Sequence, residues 1–117
     1  MAQATMTQFQ VNEMVREAQQ AAEQAAKEFL KNELQGRDQF PCGFAWTNIY
    51  GVKGNTKLGK MLAAANVSKN SYERAFQLWN PSGLFVQNVD CLEAGARAAA
   101  EVFRRHGLEA YAGSRWD

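Results

Sequence analysis

The segment GVKGNTKLGK, residues 51–60, holds the densest set of groups able to do chemistry. Lys53, Asn55, Thr56, Lys57 and Lys60 stand where an apolar-aromatic run, residues 43–50, breaks and a helix-forming run begins near Thr56. Strand, glycine-rich turn and helix in that order place unpaired backbone N–H groups and cations at one helix start, which favours a phosphate or carboxylate. The competing account is a solvated turn in which Asn55 or Thr56 simply caps the helix. Gly54 to Lys60 also fits the spacing G-x-x-x-x-G-K, but Met61 stands where a phosphate loop needs Ser or Thr for its magnesium ion. A chain of 117 residues is also short for the doubly wound sheet that carries such loops. Walker-type hydrolysis is therefore disfavoured, and anion binding is what survives.

Other reactive groups are sparse. Cys42 and Cys91 fit no C-x-x-C pattern and are expected to be reduced, Cys91 as a buried thiol despite its place near a helix start. The single histidine, His106, sits beside Arg104 and Arg105 where a helix should end, and reads as a cap. No His, Cys and Asp set has metal-ligand spacing. The expectation is a non-enzymatic protein without metal or cofactor.

Aromatic residues supply the second candidate surface. Strand alternation puts Phe44, Trp46, Asn48 and Tyr50 on one face of the first strand. The same reasoning adds Gln77, Trp79, Phe85, Gln87, Tyr111 and Arg115 to the sheet face opposite the crossover helices. Such a face is too aromatic to meet water alone. Either the N-terminal helix or a second copy covers it, or it is a platform on which bases stack, as in RNA-recognition domains. In the binding reading the lysine turn holds phosphate, Trp46 or Trp79 stacks a ring, and Asn48, Asn88 and Arg115 complete the pocket. Asn80, Ser82 and Ser114 either line that pocket or satisfy turn backbones.

These groups need elements to position them. Residues 1–10 are polar and expected to fray. Apolar residues from Val11 to Phe29 recur at spacings of three and four, which predicts a helix over 11–35 with Asn12 as N-cap and Gly36 as its stop. Pro41 opens the extended run, and the helix from Thr56 ends at Asn66. Tyr72 to Trp79 and Leu84 to Asn88 read as a hairpin about the Asn80–Gly83 turn. Asp90 with Glu93 resembles a capping box for a helix ending at His106 and Gly107, and Leu108 to Ser114 reads as a last strand. The fold expected is α+β: a long N-terminal helix, then a ferredoxin-like β-α-β-β-α-β unit over 42–117 with a four-stranded antiparallel sheet. Residues 11–117 form one domain on this reading.

Composition bounds the rest. Hydrophobic residues at 46% and charged residues at 21% describe a globular chain, with one core at this length. A formal net charge of +1 argues against a strongly basic nucleic-acid binder and against an acidic mimic. No run approaches the ~18 apolar residues of a membrane span, and the N-terminus lacks a secretory pattern. A soluble cytoplasmic protein is expected, assembling as a homo-oligomer.

The runs Cys42-Gly-Phe-Ala-Trp46, Asn48-Ile-Tyr-Gly51, Lys53 to Lys60, Leu78-Trp-Asn-Pro-Ser-Gly83 and Tyr111-Ala-Gly-Ser-Arg115 resemble those of small proteins encoded by tailed bacteriophages and prophages. The resemblance spans residues 41–117 and carries no established activity. It implies a phage origin, a bacterial host cytoplasm and, by analogy of origin, a counter-defence role. The reading that follows is an accessory protein binding an anionic ligand such as a nucleotide. The alternatives are an interaction module that inhibits a host protein and a single-stranded nucleic-acid binder.

Overall fold

The computed structural model describes residues 6–116. Residues 1–5 of the expected frayed tail therefore lie outside the described residues, whereas Gln8, Phe9 and Gln10 do not fray but form the first turn of a helix. The first helix, α1, spans Gln8–Asn32, starting three residues before the predicted position. Thr7 caps it rather than Asn12. The Thr7 hydroxyl accepts from the Gln10 N–H (3.1 Å), and the Gln10 side chain accepts from the Thr7 N–H (2.9 Å). This reciprocal pair satisfies two otherwise orphaned donors, which a lone Asn12 would not. At the far end, Gly36 adopts φ 80° and donates to the Leu30 carbonyl (2.7 Å), stopping the chain as expected.

Four strands and two further helices follow in the order β1 Gly43–Tyr50, α2 Lys57–Ala64, β2 Ser68–Asn70, β3 Ala75–Trp79, α3 Val89–Arg105 and β4 Glu109–Trp116. The sheet order is β2-β3-β1-β4, and every neighbouring pair is antiparallel. The fold is thus α+β, with a long N-terminal helix and a four-stranded antiparallel sheet.

The hairpin differs from the prediction. It joins β2 to β3, with Asn70 accepting from the Glu73 N–H (3.0 Å) and Arg74 in the left-handed region to turn the chain. Leu84 to Asn88 is not a strand. Its N–H groups at Gln87 and Asn88 are taken by the Asp38 carboxylate (2.8–2.9 Å), leaving one bridge, Cys42 to Asn88, in place of a ladder. The cap of α3 is Asn88, not Asp90. Its side chain accepts from the Cys91 N–H (2.8 Å). The last strand runs two residues beyond its predicted end.

All three helices pack on one side of the sheet. Ile49, Phe76, Leu78 and Ala110 face them and share a core with Val11, Met14, Val15, Leu62, Val102 and Phe103. The alanine stripe of α1, Ala18 and Ala22 among it, packs chiefly on α3, not across the sheet's other face. Gly95 permits this approach: a Cβ there would lie 3.1 Å from the Ala22 carbonyl. Cys91 belongs to the same seam. It donates to the Ala26 carbonyl (3.2 Å), and burial, with the Asp38 charge secondary, pushes its thiol pKa up. Both cysteines are free.

One polar tie joins α1 to the end of α3. Glu17 meets His106 Nε2 at 3.0 Å and Arg105 at 3.3 Å. The hydrogen bond to His106 is the main influence on the Glu17 carboxyl; with Arg105, and against a desolvation effect, it holds the pKa below the ordinary carboxylate value. A depressed carboxylate pKa contributes stability that is present above the ordinary value and lost as pH falls through the folded one. Glu17→Gln should therefore be less stable than the parent at neutral pH, with the gap closing below about pH 4. Urea unfolding at both pH values measures this; a gap independent of pH contradicts it.

Candidate functional site

With every helix on one side, the other sheet face stands uncovered. Cross-strand register lays out its rows: Phe44 opposite Arg115, Trp46 between Trp79 and Gly113, Asn48 between Gln77 and Tyr111, and Tyr50 opposite Glu109. Phe44, Trp79 and Tyr111 are all exposed large hydrophobics. The Trp46 and Trp79 ring centroids lie 4.7 Å apart at 33°, and the Arg115 guanidinium sits 5.4 Å above the Phe44 ring. Trp46 and Trp79 occupy the two central strands.

Two devices fix these indoles. Gly113 lets the Trp46 ring lie flat across β4, since a Cβ there would meet the indole Nε1 at 2.5 Å. That Nε1 is shielded from solvent and has no hydrogen-bond partner. The second device is an amide cluster centred on Gln77, which is buried. Gln77 Nε2 donates to Asn48 Oδ1 (2.9 Å) and to Glu73 (3.1 Å), while its Oε1 accepts from Asn70 (3.2 Å) and from the Trp79 indole N–H (3.1 Å). Trp79 is thereby held at a fixed tilt while staying 48% exposed. Beside it, where β3 ends and residues 84–88 turn away from β1, opens a cavity of about 370 Å³ walled by Phe44, Ala45, Trp79, Phe85, Val86 and Leu92.

Of the residues singled out from sequence, the structure gathers Trp46, Asn48, Trp79 and Arg115. The lysine turn is elsewhere. It follows Tyr50 at the opposite end of β1 from Phe44 and Arg115, roughly 20 Å along the strand. Val52 enters the core on the helix side, and Lys53, Asn55, Thr56, Lys57 and Lys60 are exposed. None of the three lysines makes an ion pair among the described residues. Thr56 is the cap of α2: its hydroxyl accepts from the Gly59 N–H (3.1 Å) and donates to the Lys53 carbonyl (2.6 Å). The turn thus closes on its own helix start and does not border the indoles.

Asn88 is likewise withdrawn. Its Oδ1 caps α3 and its Nδ2 donates to the Gln39 carbonyl (2.7 Å), at 1% exposure, which leaves no group to offer a ligand. Phe85 lies fully exposed on the loop, and Gln87 accepts from the Cys42 thiol (3.6 Å), so neither joins the sheet face. Reading by sequence missed Phe44 as a partner of Arg115, and Gly113 as the seat of Trp46. The alternation F-A-W against Y-A-G-S-R held that signal, but only the register discloses it.

Among the described residues, no group of three or more His, Cys, Asp or Glu side chains could hold a metal ion. No helix among them is long and apolar enough to cross a membrane. No family model matches the chain, and no curated protein or solved structure matches it either.

Proposed function

We propose that this chain is a non-enzymatic binding protein that holds a planar anionic ligand, of the nucleotide class, on its helix-free sheet face. One observation carries the reading: an indole pair on the two central strands, Trp79 half-exposed, with a guanidinium in the next row and no helix among the described residues lying across it. A base stacks on Trp79, the adjoining cavity receives its edge or a second ring, and Arg115 takes the phosphate. Charge comes from Arg115, since the lysine turn opens at the far end of the sheet. The strand order, read from β4 as β4-β1-β3-β2 with all helices on one side, supports a ferredoxin-like reading of the β-α-β-β-α-β unit. In the setting that the phage resemblance implies, such a face would sequester a host nucleotide.

A panel of mono-, di- and cyclic nucleotides tests this by tryptophan quenching and thermal shift. A ligand at 100 times its Kd should stabilise the fold by about 2.7 kcal/mol. Trp79→Ala and Arg115→Ala should each weaken binding about tenfold or more, while Lys57→Ala leaves it within about twofold. Affinity for oligonucleotides that falls steeply with salt would instead identify a single-strand binder. No response to any phosphate-bearing ligand overturns the proposal, and a stoichiometric protein partner lost with Trp79→Ala would identify an interaction module.

A further inference from the structure

β4 ends the sheet, an edge strand of eight residues with no strand on its outer side. The direction of its backbone groups follows from its neighbour. Gly43 donates to the Gln87 carbonyl and Ala45 accepts from the Asn80 N–H, both on the side away from β4. Odd positions of β1 therefore point away from β4 and even positions toward it. Their partners Arg115, Gly113, Tyr111 and Glu109 point inward, which turns the N–H and C=O groups of Ala110, Ala112 and Ser114 outward. Arg104 confirms the direction by donating to the Ala110 carbonyl (2.7 Å) from outside the sheet. The same guanidinium lies 5.7 Å from the Tyr111 ring, and the strand's own charges, Glu109 and Arg115, stand only near its two ends. Along the strand there is no proline and no bulge.

We infer that this edge pairs with the same edge of a second copy of the chain, antiparallel about a two-fold axis through Ala112. The self-match of its side chains selects this occupant and this register. On the helix-free face the strand carries Glu109 at one end and Arg115 at the other. A two-fold centred on Ala112 sets Arg115 beside Glu109 of the partner subunit, and Tyr111 beside the flat Gly113 of the partner subunit. An isologous interface repeats each match, so two opposite-charge pairs form for one contact. Once the Arg104 guanidinium, which lies across the edge at Ala110, swings aside, the outward groups of Ala110, Ala112 and Ser114 exchange about six backbone hydrogen bonds. On the other face Trp116, 75% exposed on its own chain, reaches the level of Leu108 of the partner subunit, beside the last turn of that subunit's α3. The two sheets become one of eight strands, and the two aromatic platforms become a continuous surface. This inference does not depend on the ligand reading, because its test reads mass rather than binding.

Sedimentation or light scattering of the full chain at tens to hundreds of micromolar should show a dimer. Ala112→Pro removes an outward donor but no bond of the β1–β4 ladder, so it should keep the parent's circular dichroism while the dimer weakens more than about tenfold. Arg115→Glu should weaken it as well, and Glu109→Arg added to it should restore it. Ala112→Cys should cross-link to itself under mild oxidation, since hydrogen-bonded partners in such a pair lie about 5.5 Å apart at Cα. A monomer at all concentrations overturns the inference, and so does a dimer indifferent to Ala112→Pro and to the charge swap.

Discussion

Gly59→Ala should cost about 2–4 kcal/mol of folding stability, while Lys60→Ala beside it should stay within about 0.5 kcal/mol. The first figure follows from the backbone. A Cβ on Gly59 would lie 2.2 Å from the Lys53 carbonyl oxygen and 3.1 Å from the Gly54 Cα. Neither atom belongs to a flexible side chain, so the turn itself must move. That turn is closed by Thr56, whose N–H and hydroxyl both donate to the same Lys53 carbonyl (3.1 and 2.6 Å). Just before it, Lys69 donates to the Val52 carbonyl (3.1 Å), and Val52 is in the core. Displacing the loop therefore disturbs the α2 cap, a link to β2 and core packing together. Lys60 is exposed and makes no ion pair among the described residues. Urea denaturation of the two variants decides the matter. If Gly59→Ala is neutral, the turn is a loose loop and not a closed one. The contrast also separates the structural role of the G-x-x-x-x-G-K spacing from a phosphate-binding one, which would need Lys60 for affinity and Gly59 for open space.

That motif shows where sequence reading succeeds and where it stops. The strand–turn–helix order, a cap at Asn55 or Thr56 and the amphipathic stripes of α1 and α3 were legible because each is set by local spacing; the structure selects Thr56. The role of Gly59 was not, because it depends on where the Lys53 carbonyl folds back. The same limit explains the false strand at Leu84–Asn88. Its short apolar run, Leu84-Phe-Val86, was genuine, but Asp38, about fifty residues earlier in the chain, takes two of the N–H groups that follow, and no spacing within 84–88 foretells that. The actual hairpin partner of β3, Ser68–Asn70, is three polar residues with no pattern of its own. It is specified by pairing, with Lys69 opposite Phe76. The candidate site divides along the same line. That aromatic residues alternate on β1 was readable from the chain. That α1 would leave them bare was not, because its alanine stripe fits a helix as well as a sheet. Gly95 on α3 decides in favour of the helix, by letting the Ala22 backbone approach closely.

The other large effect should come from Gln77, on the sheet face itself. Gln77→Ala should lose about 3 kcal/mol and shift tryptophan emission to longer wavelength. The side chain is 3% exposed and makes four side-chain hydrogen bonds, to Asn48, Asn70, Glu73 and Trp79. Truncation leaves Asn48, itself only 4% exposed, without a donor to its Oδ1. A buried acceptor stripped of its partner costs more than the bond was worth net, since water cannot replace the lost donor freely. It also leaves the Trp79 N–H untethered, so the exposed indole can leave its tilt against Trp46. Gln77→Glu separates the two halves of the amide. It keeps an acceptor for Asn70 and Trp79 but sets a carboxylate against Glu73 and against the Asn48 carbonyl. Like charges at that distance raise a carboxylate pKa, so the stability deficit of this variant should shrink as pH falls toward about 5. Gln77→Ala has no such charge, and its deficit should not respond to pH in the same way. Paired denaturation curves at pH 7 and pH 5, with emission spectra of the folded state, measure both. If Gln77→Ala is as stable as the parent with an unshifted spectrum, the amide cluster does not hold the indole, and the fixed stacking surface it is credited with does not exist.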